Sequence, residues 1–445
     1  MQNLERQFRA ELDQCKEAAD VKRWIVALSG GLDSIVLLEL AASALPAEQL
    51  CVLHIDHQLQ IHSSQWADFC QRWVTSLGLP FETLKVSVDS AASLERAARD
   101  ARYNAFIEFL NPGDCLLQGH HQSDQAETVL FRMLRGAGVR GLSGIPKQRT
   151  LGQGILLRPL LECAKSDLRG WAETQGLSWI EDPSNLDPGF DRNFLRHKVM
   201  PLLESRWPGF DRRWGQMAAS MSEADRLLVD LAEIDLCTVS ISSGQLDLER
   251  LAILSESRQV NLLRHWIELS CGDRISQGRM AALLQDVVQA GADSDPELEL
   301  SSAVIRRYRN GLFLQDSKAL EREIDWSQWS VSEAGVSLPE GELVVESTLG
   351  GLKSLTGVGL RNRREGDRCR PVGRVGSCTL KKLFQEKSIP PWLRWQWPVC
   401  VVGDEIVAVP GLCICEGWQC EKNVTGFALK WVPTALSDSS ESGTL

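Results

Sequence analysis

Short apolar runs alternate with longer amphipathic stretches through the first two hundred residues. The runs 24–28 (WIVAL), 50–56 (LCVLHID), 81–88 (FETLKVSV) and 114–120 (DCLLQGH) predict strands. Between them, 34–45, 64–78 and 93–110 place apolar residues every third or fourth position and predict helices. Apolar strands separated by helices of ten or more residues indicate a parallel, doubly wound α/β sheet. In such sheets ligands bind at the carboxyl ends of the strands. Chemistry is therefore expected after Leu28, after Ile55 and after Gly119.

The pattern changes near residue 212. Residues 214–238, and the stretches LDLERLAILSESRQVNLLRHWIEL and QGRMAALLQDVVQAG, keep a helical period and predict a mainly helical middle domain. A hairpin turning at Asn310-Gly311 is expected at its end. The resulting division is 1–211 for the α/β domain, 212–316 for the helical domain, 317–351 as a weakly patterned linker and 352–434 as a small β-rich module. The polar tail 435–445 is expected to be disordered. A chain of 445 residues suits such a division, being too long for one ordinary core.

Composition narrows the function in two ways. The net charge of −11 argues against a generic nucleic-acid binder, yet residues 361–394 hold ten Lys/Arg against three Asp/Glu. A basic patch on an acidic body can hold a polyanion in one place and repel it elsewhere. The thirteen cysteines are scattered without a Cys-x-x-Cys pair, which suits reduced thiols in a cytoplasm better than disulfides, zinc or an iron–sulfur cluster. No apolar run reaches the length of a membrane span, and the charged first residues do not read as a signal peptide.

The stretch SGGLDS, Ser29–Ser34, follows the first strand and opens a helix near Ser34. Its glycines let backbone N–H groups approach an anion, and the helix dipole adds to them. A Walker loop would place a lysine on the outer phosphates. Its absence points to pyrophosphate held as a leaving group, with chemistry at the α-phosphate and Asp33 as a ligand for Mg²⁺. Helix N-capping by Asp33 or Ser34 is the plainer account of the same residues. After the fourth strand come Gly119, His120 and His121, then Asp124 and Glu127 on one helical face. That acidic pair could hold Mg²⁺, receive a substrate amine, or form a capping box. Asp56 and His57 end the second strand, where a ribose or base would lie or a polar turn would form. Arg102 has helical spacing with Arg99 and Glu95, and the spacing by itself suggests no more than a surface Glu95–Arg99 pair. Arg192 and Arg196 lie four apart after DPSNLDPGFD, where closure over the site or a capped connector would account for them. The tryptophans of PPWLRWQWP are read as core rather than as base-stacking surfaces.

With these segments in view, the chain resembles the PP-loop ATP pyrophosphatase superfamily through SGGLDS. Within it, the chain resembles the tRNA(Ile)-lysidine synthetase family through HIDHQL (54–59), SLERAARDARY (93–103) and GHHQSDQAETVLFRMLRGAGVRGLSG (119–144). RPLLECAKSDL (158–168), EDPSNLDPGFDRNFLRHKVMPLL (181–203) and the basic segment 364–394 extend the match. The resemblance implies that ATP adenylates the wobble cytidine of the CAU anticodon of tRNA(Ile). The amine of free L-lysine then displaces AMP to give lysidine. It places Ser29, Gly30, Gly31, Leu32, Asp33 and Ser34 at the phosphates, with Asp56, His57, Gly119 and His120 around the nucleotide. It also places Asp33, Asp124 and Glu127 at acidic positions for Mg²⁺ or lysine, with Asp33 and Asp124 as the metal ligands. Arg102 becomes a catalytic arginine on this ground alone. Arg192, Arg196, Arg363, Arg364, Arg368, Arg370, Lys381 and Lys382 are implied to contact tRNA. The oligomeric state stays open, a homodimer included. Competing readings are a tRNA thiolase, which would need reactive cysteines, another ATP-dependent tRNA-modifying enzyme, a small-molecule amidating synthetase, and a non-catalytic ATP-responsive RNA-binding protein.

Overall fold

The central strand β1 (Arg23–Ala27) divides its side chains between two cores, because successive residues of a strand face opposite ways. Trp24 and Val26 join a cluster with Phe8, Leu12, Ile35, Leu38 and Leu168, while Ile25 joins Leu53, Phe106, Leu116 and Leu156 on the other face. The structure, a computed structural model, describes residues 2–57, 63–87, 94–181, 189, 191–242, 244–291, 296–317, 324–338 and 341–433. It divides into two units, Met1–Leu227 and Leu228–Leu445.

In the first unit β1 pairs in parallel with β2 (Leu50–Asp56) and, on its other side, with β4 (Asp114–Leu117). β3 (Phe81–Lys85) lies outside β2. β5 (Gln148–Leu151) and β6 (Gly154–Leu157) form an antiparallel hairpin whose β6 adds in parallel to β4. The order is β3-β2-β1-β4-β6-β5, so the winding reverses between β1 and β4. The crevice at that reversal is where an open α/β sheet binds its ligand. Helices α1 (Gln2–Ala18), α2 (Leu32–Ala44), α3 (Ser63–Ser76), α4 (Leu94–Phe109) and α5 (Gln122–Leu134) belong to this unit. So do α6 (Val139–Leu142), α7 (Lys165–Thr174), α8 (Asp191–Phe194), a π-helical turn (Leu195–Val199) and α9 (Met200–Arg206). α2 is apolar almost all round and buried from Ile35 to Leu38, as a core helix must be. The β5–β6 hairpin has no counterpart in the sequence reading, since QRTL alternates too little to mark a strand.

In the second unit, a long helix α10 (Phe210–Val239) that begins in the first unit leads to an antiparallel sheet. Its strands are β7 (Ser240–Ser242), β8 (Gln245–Asp247), β9 (Glu297–Glu299), β10 (Ala303–Tyr308) and β11 (Gly311–Asp316), ordered β7-β8-β11-β10-β9. α11 (Leu248–Ile253), α12 (Glu256–Cys271) and α13 (Gln277–Ala282) carry the facing core residues Leu251, Leu262, Trp266 and Met280. The hairpin turns at Arg309-Asn310, not at Asn310-Gly311, because Tyr308 and Gly311 are already register partners. A Cβ on Gly311 would lie 2.7 Å from the ring of Phe313, two residues along the same strand. Arg309 adopts the left-handed φ of 53° instead, held by hydrogen bonds to Gln385 O and Ser388.

The segment 317–351 is not a linker over its described residues. Strands β12 (Val336–Leu338) and β13 (Gly341–Leu349) pair with each other. β13 then runs antiparallel to the last strand, Thr425–Pro433, along its full nine residues. Trp326 is fully buried, its indole donating to Gln396 O and meeting Trp431 edge-on. Of the tryptophans in PPWLRWQWP, Trp397 is core and donates to Pro410 O. Trp392 packs on Tyr308 and Phe313 of the β10–β11 hairpin. The tail 435–445, residues 182–188 of the DPSNLDP stretch, and Gln58 and Leu59 of HIDHQL lie outside the described residues, as does the Glu95 side chain.

Candidate active site

The loop after β1 is built by short-range hydrogen bonds. Ser34 Oγ donates to Gly31 O at 2.9 Å and accepts from Ser29 N at 3.2 Å. Gly30 has a left-handed φ of 84°, and its carbonyl accepts Ile180 N. α2 starts at Leu32, two residues earlier than the sequence reading, with Gly31 at the N-cap and no side chain capping it. The capping account of Asp33 and Ser34 therefore fails. Among the described residues the N–H groups of Leu32 and Asp33 have no acceptor, and they sit at the positive end of a buried helix. That is an anion site by geometry and by charge.

The loop after β4 meets this one. A Cβ on Gly119 would lie 2.8 Å from the Asp33 carbonyl oxygen, so only glycine permits the approach. Asp33 Oδ2 lies 3.6 Å from His121 Nε2, which is also 3.5 Å from Asp124 Oδ2. Burial opposes charge on His121, but the carboxylates of Asp124 and Asp33 outweigh it and raise its pKa. Asp33 Oδ1 is buried and has no partner among the described residues. A carboxylate oxygen left so fits a divalent cation, and Asp33 meets the requirement for Mg²⁺. Asp124 does not offer the same: Oδ2 accepts His121 N at 3.0 Å and Oδ1 accepts Arg196 at 3.0 Å.

Arg192 and Arg196 were expected at tRNA, and they lie on the acidic pair. Arg196 Nε donates to Glu127 at 2.9 Å, and Arg192 Nε lies 3.3 Å from the other oxygen of the same carboxylate. Arg192 also donates to Thr128 Oγ1 at 3.2 Å. Helix α8 and the π turn place the two arginines one turn apart, facing α5. Glu127 is almost wholly buried; burial raises its carboxyl pKa against the opposing pull of Arg196. Such a group needs these cations to stay ionised.

Arg102 is the converse case. Its Nε is buried without a partner, and no carboxylate of the described residues pairs with it. Burial, then the charges of Arg99 and Arg192, hold its pKa below the ordinary value, with Tyr103 acting against them. Among the described residues His57 Nδ1 is likewise buried without a partner, and burial followed by the charge of Arg102 lowers its pKa. Asp56 is buried at the end of β2. His120 accepts Arg158 Nε on Nδ1 at 3.2 Å, and burial pushes its pKa down to about 3. Arg158, overlooked at the sequence level, is fully buried and also donates to Tyr103 Oη, Gln118 and Pro146 O. A lone arginine closing the apolar run GILL was the available signal, since a buried charge requires partners.

The stretch RGAGVRGL (135–142) carries two arginines that face acidic side chains. Arg135 lies 3.6 Å from Asp191 and over the Phe131 ring, and Arg140 lies 3.9 Å from Asp225. Gln125 and Arg132 instead pin the following turn through Ile145 and the carbonyls of Gly141 and Gly144.

In the C-terminal module the basic residues separate by environment. Arg361 is spent on Asp367, Arg374 on Glu386 and Arg394 on Ile389 O and Tyr308. Arg364, Arg368, Arg370, Lys381 and Lys382 are exposed, and Arg363 is half-buried. Arg370 meets Glu416, Arg368 bonds Ser377, and Arg364 lies 3.8 Å from Asp404.

Residues 4–203 match the family model of the PP-loop domain. Residues 246–313 match the TilS substrate binding domain, and 358–431 the TilS substrate C-terminal domain. The chain is 39% identical to the tRNA(Ile)-lysidine synthase of Pseudomonas fluorescens (strain Pf0-1), covering 92% of this chain and 93% of that one. It is 38% identical to the protein of the same name from Coxiella burnetii, over 92% and 93%. It is 40% identical to that of Pseudomonas aeruginosa, again over 92% and 93%.

Proposed function

The chain belongs to the tRNA(Ile)-lysidine synthase family, and on that premise we propose that it joins L-lysine to the wobble cytidine of the CAU anticodon of tRNA(Ile). It is a ligase that uses ATP. The 2-carbonyl oxygen of cytidine attacks the α-phosphate of ATP and pyrophosphate leaves. The ε-amine of lysine then attacks C2, and AMP departs with the former carbonyl oxygen. Adenylation is required because a carbonyl oxygen is a poor leaving group and AMP a good one.

The observation that carries the reading is the meeting of the β1 and β4 loops at the switch point, with the unpartnered Asp33 Oδ1 between them. The N–H groups of Leu32 and Asp33 hold pyrophosphate as it leaves. Mg²⁺, held by Asp33, supplies charge neutralisation to the phosphates when bound. Arg102 faces the negative charge that develops around the α-phosphate, and His57 and Asp56 border the nucleoside. Asp124 and Glu127 receive lysine's ammonium group, which enters by replacing Arg196. The exposed residues Arg364, Arg368, Arg370, Lys381 and Lys382 bind tRNA phosphates.

The thiolase reading finds no support. Cys70 does lie against the loop, 3.1 Å from where a Gly30 Cβ would be. It is wholly buried, and burial pushes its thiol up to about 12, which leaves it inert. The test is direct. Purified protein is incubated with ATP, radiolabelled lysine and CAU-anticodon tRNA(Ile). Label is expected in the tRNA in equal amount to AMP formed; unlabelled tRNA under conditions where it binds would refute the proposal.

A further inference from the structure

Three cysteines that are scattered in sequence converge within the β-rich module, with a fourth, Cys378, beside one of them. Cys369 and Cys378 are register partners in a two-stranded ladder, with Sγ atoms 4.0 Å apart. Cys413 and Cys415 leave the strand Cys413–Ile414, two residues apart and so on one side of the chain. Backbone contacts bring that strand to the ladder: Val372 N donates to Ile414 O at 3.0 Å and Glu416 N to Arg370 O at 2.8 Å. As a result the Sγ atoms of Cys369, Cys413 and Cys415 all lie within 4.8 Å of one another.

A tetrahedral zinc–thiolate site has Zn–S bonds of about 2.3 Å, which sets its sulfurs about 3.8 Å apart. The three thiols are within an ångström of that spacing, on a backbone already fixed by hydrogen bonds. All thirteen cysteines are free thiols. Core packing explains one buried cysteine, but it gives no reason for three sulfurs to point at one spot. We propose that Cys369, Cys413 and Cys415 hold one soft divalent cation, zinc by chemistry.

Several features fit this site. Thiolate ligands without carboxylate or imidazole select zinc over magnesium. Cys413 is half-buried and lines a groove of ≈ 490 Å³ with Arg374, Glu386 and Leu412, which gives the ion an entry path. The ion would tie the ladder that carries Arg368 to the strand Cys413–Ile414. This site does not depend on the lysidine reading, and its test does not involve that reaction.

The experiment uses the full chain, purified under reducing conditions without chelator and supplied with Zn²⁺ alone. Mass spectrometry of the metal content is expected to give about one zinc per chain, and X-ray absorption a sulfur shell near ~2.3 Å. Cobalt substitution should give thiolate-to-metal charge-transfer bands. Cys413→Ser and Cys415→Ser should each weaken binding by more than about tenfold, while Cys237→Ser, at an exposed position on α10, retains it. A folded wild-type chain that takes up neither zinc nor cobalt overturns the proposal, whatever the variants do. So does a Cys369–Cys378 disulfide in the purified chain, or zinc retained in full by Cys413→Ser.

Discussion

Asp33, Gly119 and His120 each have a distinct physical task in the site, and each gives a separate expectation. Asp33→Asn keeps the shape but removes the charge facing the unpartnered Oδ1 position. AMP formation should fall by about 10²-fold or more, the scale of losing a charge-stabilising group, while tRNA affinity measured by filter binding stays unchanged. Gly119→Ala forces a Cβ against the Asp33 carbonyl, and neither backbone can give way. The expected result is a raised KM for ATP and a loss of about 1–3 kcal/mol in denaturant unfolding. His120 is held neutral in the fold, its pKa at about 3 against an unfolded value near ~6.5. The unfolded chain therefore binds more protons between those values, and stability rises with pH across that window. The contribution is complete above about pH 6.5 and is lost as pH falls toward 3. His120→Asn, which keeps an acceptor for Arg158, should flatten that part of the stability–pH curve.

At the scale of elements, two associations decide what single residues can do. One is the docking of α8 and the π turn on α5, where Arg192 and Arg196 neutralise Glu127. Arg196→Met leaves a buried carboxylate with one weaker partner. We expect a loss of about 2–3 kcal/mol, below the full value for a broken buried pair because Arg196 is a third exposed and Arg192 remains. The other is the β13 ladder with the last strand, which draws residues 324–338 and 341–349 into the C-terminal core. Trp326→Ala removes a wholly buried indole and its hydrogen bond to Gln396 O. A cost of about 3–5 kcal/mol is expected by thermal or chemical unfolding, a result impossible for a residue in a linker. The ladder is not legible in the chain, because β13 shows no clean alternation and its partner lies some eighty residues away.

Across the whole molecule, charge is distributed unevenly. The basic segment 361–394 carries a local +7 within a chain of net −11, and part of it is consumed internally by Asp367 and Glu386. Binding of tRNA should therefore weaken steeply with salt. Arg368→Ala, Lys381→Ala and Lys382→Ala should each lower the slope of log affinity against log salt by up to about 0.9 and leave ATP affinity unchanged. Titrations at several salt concentrations measure this, and a constant slope would mean that the patch makes no phosphate contact.

The sequence by itself determined the features that rest on local pattern. Apolar runs and helical spacing located the parallel sheet, and two glycines after a strand located the turn into α2. Motif order carried the family, while nothing in spacing alone distinguished Arg102 from an ordinary surface arginine. The tertiary structure decided whatever depends on groups distant in the chain. It turned Arg192 and Arg196 toward Glu127, and it supplied Arg158 as the partner of His120. Among the described residues it left Asp33 with a free oxygen while engaging both oxygens of Asp124. It also gathered Cys369, Cys413 and Cys415, which no local spacing relates. The reason is the same throughout: periodicity records which face of an element is buried, but the partner of a buried charge or thiol is set by how the elements pack.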